Sequence, residues 1–172
     1  MYKERPRIPI LSTSTDKWLD WISYLLLFFL IAYPIYKFSS LPETIPAHMN
    51  IEGQVDRYSS KEMIWILPGV GFFLFIMLTI LLRFPHIYNY PVKITKQNAD
   101  RVYMAGIRFM RIIRLWIMIV LILVIVSFIR IATGVTTNAD TWLLPMILLL
   151  VLGLLVFSLV KMFNIKKQDN SK

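Results

Sequence analysis

Four long runs of apolar residues divide the chain, and polar residues collect between them. No charged side chain occurs in residues 21–36, 63–82, 115–129 or 141–160. Crossing the hydrocarbon core of a bilayer takes about 20 residues of helix, and each run approaches or reaches that length with its flanking residues. The pattern predicts an all-α integral membrane protein with four transmembrane helices, at about 18–38, 63–82, 107–129 and 142–163.

Helix-breaking residues in the first two predicted spans predict departures from a straight helix. Pro34 lies in the last turn of the first span, where we expect it to end or kink the helix. Pro68, Gly69 and Gly71 fall within one turn of the second span and predict a bend at which a neighbouring helix packs closely. The alternative is a broken helix that exposes backbone groups to a ligand.

Lys and Arg are distributed unequally between the segments that join the spans. If the amino terminus is cytoplasmic, 15 of the 19 Lys and Arg residues lie in the inner segments 1–19, 83–114 and 161–172. Cytoplasmic loops of membrane proteins carry such an excess. We therefore predict that both termini are cytoplasmic and that the loop 39–61 is extracytoplasmic.

Composition narrows the function classes. The chain is 57% hydrophobic and only 17% charged, with a formal net charge of +9 and no cysteine. The positive excess is explained by the inner segments, so no nucleic-acid partner is predicted. No Asp, Glu or His lies deep in a predicted span, which argues against ion-coupled transport. We expect a single four-helix membrane domain over residues 1–172 with a short polar tail at 164–172, and no cofactor or metal.

One loop, residues 41–62, is neither apolar nor merely basic. Pro46 favours extended backbone before it, and Gly53 supplies a tight turn between two short polar segments. The sequence therefore predicts a small hairpin in which His48 faces Arg57 and Met49 lies beside Asp56. Ser59 or Ser60 is predicted to cap the second span.

The same loop resembles a known sequence block. Its residues IPAHMNIEGQVDRYSSKE are similar to the IP-x-H-x-N-x-x-G-x-x-D-x-x-x-SK motif of a bacterial membrane family of unknown function, which also forms the amino-terminal part of SdpI-type immunity proteins. This resemblance implies a multi-pass protein of the bacterial cytoplasmic membrane, some of whose relatives protect against a secreted toxin. The motif residues that form the candidate ligand-binding loop are Pro46, His48, Asn50, Gly53, Asp56, Ser60 and Lys61.

Three kinds of chemistry are open to this loop. His48, Glu52 and Asp56 are spaced by four and would form metal ligands on one face of a helix, although Pro46 and Gly53 argue against that helix. A catalytic alternative uses His48 as a general base oriented by an acidic neighbour. We favour a structural role, in which His48 and Asp56 order the loop through backbone hydrogen bonds, combined with recognition of an external ligand.

A second group of candidate residues is basic. It consists of Arg101, Arg108, Arg111 and Arg114. Their spacing places them on one face of a helix at the cytoplasmic entrance of the third span. We expect the guanidinium groups to contact anionic lipids there; a defined lipid site and a cytoplasmic protein partner are the alternatives.

These observations favour a non-catalytic binding or protection protein whose outer loop recognises a membrane-active peptide, such as a toxin, or an envelope partner. The first alternative is an accessory or sensor subunit of an envelope system. The second is a hydrolase at the outer face that uses His48 and Asp56. No residue is assigned as catalytic, because no nucleophile stands out in the loop.

Overall fold

The computed structural model describes residues 5–137, 145–149, 151–153, 155–157 and 160. Within those residues the chain is mostly helical, with one small antiparallel sheet. Three helices contact one another: α1, Ser14–Lys37; α2, Ile66–Leu81; and α3, Ala99–Ala132. The strands are β1, Thr44–Met49, and β2, Val55–Ser60, and 3₁₀ turns occur at Phe38–Ser40, Lys61–Trp65 and Pro85–Ile87.

Three segments are long and apolar enough to cross a membrane: Ser14–Ser40, Lys61–Leu81 and Ala99–Ala132. They correspond to the first three predicted spans. A shorter apolar helix is found over Pro145–Phe157. The fourth predicted span, 142–163, and the tail 164–172 lie wholly or partly outside the described residues.

Two helices begin earlier than the hydrophobic pattern predicts, because polar residues fix their starts. At the start of α1, Thr13 and Asp16 form a capping box: each side chain bonds the backbone N–H of the other, at 3.3 and 2.9 Å. Directly before α3, Thr95 and Asn98 make the same reciprocal pair of bonds, at 3.3 and 2.8 Å, although the N-cap Asn98 makes no side-chain bond into the helix. Such boxes satisfy backbone donors that a new helix leaves free.

The helix-breaking residues act differently from one another. Pro34 is buried inside α1, which continues for three more residues to Lys37. Pro68 lies in the first turn of α2, directly after the 3₁₀ turn Lys61–Trp65. Backbone N–H groups in a first helical turn have no intrahelical acceptor, so proline costs no hydrogen bond there. The change from 3₁₀ to α geometry lies near the start of this segment, and the bend itself stays a prediction.

Close packing occurs at one glycine of the predicted pair and not at the other. A Cβ atom on Gly71 would clash with Leu30 of α1 and lie 3.0 Å from Leu121 of α3, whereas Gly69 has no neighbour within 4 Å of that position. Gly71 is thus the point where the three helices approach one another. A buried apolar cluster continues from there and includes Leu30, Leu41, Ile45, Ile64, Phe75, Met118, Ile125 and Ile129.

The two ends of the bundle differ in composition. At one end, which we call the hairpin end, Ile45 of β1 is buried in the same cluster as Ile125 and Ile129 of α3. The sheet therefore packs on the helices rather than standing free of them. The opposite end, which we call the arginine end, carries the start of α1, the end of α2 and the first half of α3.

Candidate functional site: the polar hairpin and the arginine cluster

The turn of the hairpin is closed by Asn50. Its side-chain oxygen accepts hydrogen bonds from the backbone N–H groups of Glu52, at 3.0 Å, and Gln54, at 2.9 Å. Gly53 has a φ of 79°, a conformation that glycine adopts without steric cost. The predicted glycine turn is confirmed, and Asn50 supplies the bonds that fix it.

The base of the hairpin is attached to the bundle by both apolar and charged contacts. Ile45 and Pro46 are buried, with Ile45 2% exposed. Lys61 lies 2.8 Å from the Glu43 carboxylate and sits over the Phe38 ring, 5.5 Å from its centroid. The motif residues Pro46 and Lys61 therefore hold the hairpin in place.

His48 and Asp56 meet at the exposed part of the hairpin. The His48 Nδ1 atom lies 2.7 Å from Asp56 Oδ1, and the two side chains keep 53% and 46% of their surface exposed. An ionised carboxylate only accepts hydrogen bonds, so Nδ1 is the donor and Nε2 remains for another partner. We expected each side chain to bond the backbone; instead they bond each other.

The strand register explains this contact. His48 pairs with Arg57, as predicted, but Met49 pairs with Val55 rather than lying beside Asp56. Ala47 of β1 and Asp56 of β2 are each passed over in the ladder, so the two register shifts cancel. The register on both sides of these positions sets His48 opposite Asp56, and side chains opposite each other in an antiparallel pair lie close together.

The arrangement limits the chemistry that the hairpin offers. Among the residues that the structure describes, no three His, Asp or Glu side chains come together as metal ligands. The alternative metal-ligand trio is not assembled, because Glu52 lies in the turn while His48 and Asp56 pair across the strands. Ser60 precedes the 3₁₀ turn at the predicted position, but its side chain makes no cap hydrogen bond. What remains is an exposed, oriented histidine–carboxylate pair.

At the arginine end, three predicted residues contact carboxylates of α1. Arg108 Nε lies 3.0 Å from Asp16 Oδ1, and Arg111 Nε lies 3.1 Å from Asp20 Oδ1. Arg114 also pairs with Asp20.

Hydroxyl groups complete these contacts. Arg108 donates to Thr13 and Arg111 to Ser12, both at 3.0 Å, while Arg114 donates to Thr79 of α2 at 2.8 Å. The first two acceptors come from the segment around the start of α1. The third acceptor, Thr79, belongs to α2, so its bond with Arg114 joins α2 to the same cluster.

The cluster binds the three helices together. Ion pairs in apolar surroundings favour one arrangement of helices, because separating the partners leaves an uncompensated charge. Arg114 is only 1% exposed, and its Nε is buried without a hydrogen-bond partner among the described residues. Lipid contact by Arg101, Arg108, Arg111 and Arg114 stays a prediction, and the structure adds intramolecular partners for the last three.

The hydrophobic pattern did not identify Asp16, Asp20 and Thr79 as part of this cluster. A sequence signal exists for Asp16, because Thr13 and Asp16 have the spacing of a capping box. Asp20 precedes an apolar run, and Thr79 lies within one, so neither carries a local signature. Only the packing of α1 and α2 against α3 brings them to the arginines.

The segment before α1 folds over the arginine end. Arg5 donates hydrogen bonds to the carbonyl oxygens of His86, at 3.0 Å, and Tyr88, at 2.5 Å. Tyr103 of α3 donates to the carbonyl oxygen of Pro6 at 3.0 Å. Burial raises the pKa of Tyr88 to about 12, and it raises that of Tyr90 further still. The aromatic loop between α2 and α3 and the amino-terminal segment thus form one packed layer.

Comparison with known proteins gives two partial matches. A family model for a domain of unknown function, DUF1648, matches residues 25–72, which run from α1 through the hairpin into α2. An uncharacterized protein of Archaeoglobus fulgidus is 37% identical over 81 residues. The alignment covers 46% of this chain and 44% of the archaeal protein, so the chain spans less than half of that relative. No solved structure matches the chain.

These matches are consistent with a membrane family of unknown function. The part of the chain that matches the family model contains the whole hairpin, with His48, Asn50 and Asp56. The resemblance to SdpI-type immunity proteins stays a prediction.

Proposed function

We propose that this membrane protein binds an external partner through the hairpin and acts by occupying or sequestering it, without turnover. The partner that the chemistry fits best is a membrane-active peptide, as an immunity-like role requires, or an envelope protein. In this proposal the hairpin faces the outside of a bacterial cytoplasmic membrane and both termini are cytoplasmic.

The observation that carries the proposal is the His48–Asp56 pair. Recognition improves when polar groups are held in their binding arrangement beforehand, because less freedom is lost on binding. The pair is half-exposed with a 2.7 Å contact, on a hairpin whose turn is fixed by Asn50. Arg57 lies opposite His48 in the ladder. The exposed face therefore offers an imidazole and a carboxylate, held together, to a partner.

The test is deletion of the gene followed by challenge with a broad panel of membrane-active peptides. We expect the deletion strain to become sensitive to at least one peptide, and the intact chain to restore resistance. His48→Ala and Asp56→Asn should fail to restore it. Asp100→Asn, an identical change on the exposed surface at the start of α3, is the matched control and should restore it fully. Unchanged sensitivity across the panel would contradict protection.

A second candidate function is hydrolysis, which the same contact favours. A carboxylate 2.7 Å from Nδ1 orients an imidazole in the way that a general base requires. Hydrolysis and binding predict different behaviour of purified His48→Ala protein. If the protein is a hydrolase, the His48→Ala protein still binds the peptide but leaves it uncleaved. If the protein only binds, the His48→Ala protein loses affinity for the peptide. Mass spectrometry of the peptide recovered with the protein separates the two cases.

A further inference from the structure

A cavity of about 350 Å³ opens at the arginine end of the bundle. It lies between the amino-terminal segment that precedes α1, the end of α2 and the first half of α3. Ligand pockets in proteins begin at about 300 Å³, so the space suits a headgroup rather than a whole lipid. The cavity is at the opposite end from the hairpin and is independent of the proposed function.

The lining of this cavity is amphiphilic. Its apolar wall includes Ile8, Ile10, Leu82, Met104 and Ile107. Its polar lining residues include Arg83, Arg111, Ser12 and Thr79. Arg111 is nine-tenths buried, whereas Arg83 is exposed where α2 ends. Arg111 is therefore a buried cation of the cavity wall, and Arg83 is a second cation on its solvent-exposed side.

The charges around the cavity do not balance. Arg108, Arg111 and Arg114 share only two carboxylates, Asp16 and Asp20, within the part of the chain that the structure describes. Arg83 adds another positive charge at the cavity. A partly buried cationic surplus is unfavourable unless an anion compensates it.

The one acidic side chain in the lining is already occupied. Asp16 accepts hydrogen bonds from Thr13 and Arg108 and is 3% exposed. Its charge is therefore compensated within the protein. Arg111 is less fully engaged, because its Nη1 atom stands 3.6 Å from Asp16 Oδ1, beyond a good hydrogen bond.

The depth of the cavity also suits a phosphate group. The exposed rings of Trp18 and Trp21, 68% and 70% accessible, lie near the same end of α1. Tryptophan collects where the hydrocarbon meets the headgroups. Leu82 and Arg83 directly follow the end of α2, so the apolar-to-charged transition of that span occurs at the cavity.

We propose that this cavity binds the phosphate of an anionic phospholipid headgroup, held by Arg83 and Arg111 with the Ser12 hydroxyl as a further donor. The apolar wall then contacts the glycerol and upper acyl carbons. This assignment differs from a lipid surface formed by all four arginines of α3, because only Arg111 of that set lines the cavity.

The test measures the affinity of the full chain, purified in a neutral detergent, for three probes. These are short-chain phosphatidylglycerol, short-chain phosphatidylcholine and inorganic phosphate. Arg83→Gln is the test variant, because Arg83 is exposed and lies outside the ion-paired cluster. Lys93→Gln removes the same charge from the same inner loop at a position that does not line the cavity.

We expect saturable binding of phosphatidylglycerol that Arg83→Gln weakens about fivefold, in line with one basic group at an anionic surface. Lys93→Gln should leave the affinity unchanged, and phosphatidylcholine should bind more weakly. Equal losses in both variants, or no saturable binding, would overturn the site. Binding of inorganic phosphate alone, sensitive to Arg83→Gln, would overturn the lipid assignment in favour of a soluble phosphate compound.

Discussion

The Nη1 atom of Arg114 on α3 donates a 2.8 Å hydrogen bond to the hydroxyl of Thr79 on α2. The same guanidinium group pairs with Asp20 on α1, so this one side chain connects α3 to both other helices. It also lies over the Phe75 ring, 4.8 Å from its centroid. Arg114 thus fixes the relative positions of the helices at the arginine end, as Gly71 does farther along the bundle.

We predict that Asp20→Asn destabilises the protein by about 3 kcal/mol, because it leaves two buried arginines short of a carboxylate. Size-exclusion chromatography of samples heated in detergent gives the midpoint of thermal unfolding, and the shift of this midpoint measures the loss of stability. Asp100→Asn makes the same chemical change at an exposed position and should leave the midpoint in place. Equal midpoints for the two variants would refute a stabilising role for the cluster.

Leucine should be tolerated at Gly69 and not at Gly71. The two positions lie in one helix turn, but only Gly71 faces Leu30 and Leu121 closely. We expect Gly71→Leu to cost about 2 kcal/mol through overpacking and Gly69→Leu to be nearly neutral. Unfolding midpoints in the same detergent compare them directly. A larger loss at Gly69 would mean that the helices pack on a different face.

Replacing Asn50 should loosen the hairpin without unfolding the bundle. Asn50→Ala removes two hydrogen bonds from backbone N–H groups of the turn to the Asn50 side chain, each worth about 1 kcal/mol. We expect faster amide hydrogen exchange at residues 51–57 and unchanged exchange in α3. Glu52→Ala, which alters an exposed turn side chain but keeps both bonds, serves as the control. Identical exchange in the two variants would contradict the role of Asn50.

Stability should fall in strongly alkaline solution as buried tyrosines ionise. Burial raises the pKa of Tyr88 to about 12, against about 10 in an unfolded chain. The folded state therefore holds its proton more tightly, and this stabilisation is complete below about pH 10 and lost as the pH rises through the folded value. Absorbance of tyrosinate at alkaline pH measures the late titration, which Tyr88→Phe should reduce. No change on that substitution would refute the assignment.

The predicted orientation can be tested with single cysteines, since the chain has none of its own. We expect Glu52→Cys to react with an impermeant maleimide in intact cells, and Lys93→Cys to react only after permeabilisation. Both positions are exposed, so unequal burial does not explain the difference. The reverse pattern would place the hairpin in the cytoplasm and exclude its proposed role.

The sequence alone predicted the features that depend on near neighbours in the chain. Runs of apolar residues indicated the first three spans, because hydrocarbon requires a continuous stretch of helix. Gly53 indicated the turn, and the strand pattern placed His48 opposite Arg57. Each of these inferences uses residues that are adjacent or a few positions apart.

Tertiary structure decided which distant residues meet. Asp20 and Arg114 are 94 positions apart, and no local pattern links them; packing of α1 against α3 does. The contact between His48 and Asp56 depends on how β1 and β2 align, which the alternation of side chains leaves open. Gly69 and Gly71 are equivalent in the sequence pattern and differ only in which one faces a neighbour. The pattern of apolar and polar residues determines where each helix and strand forms. Which helices contact one another, and how the strands align, depend on the three-dimensional packing of the whole chain.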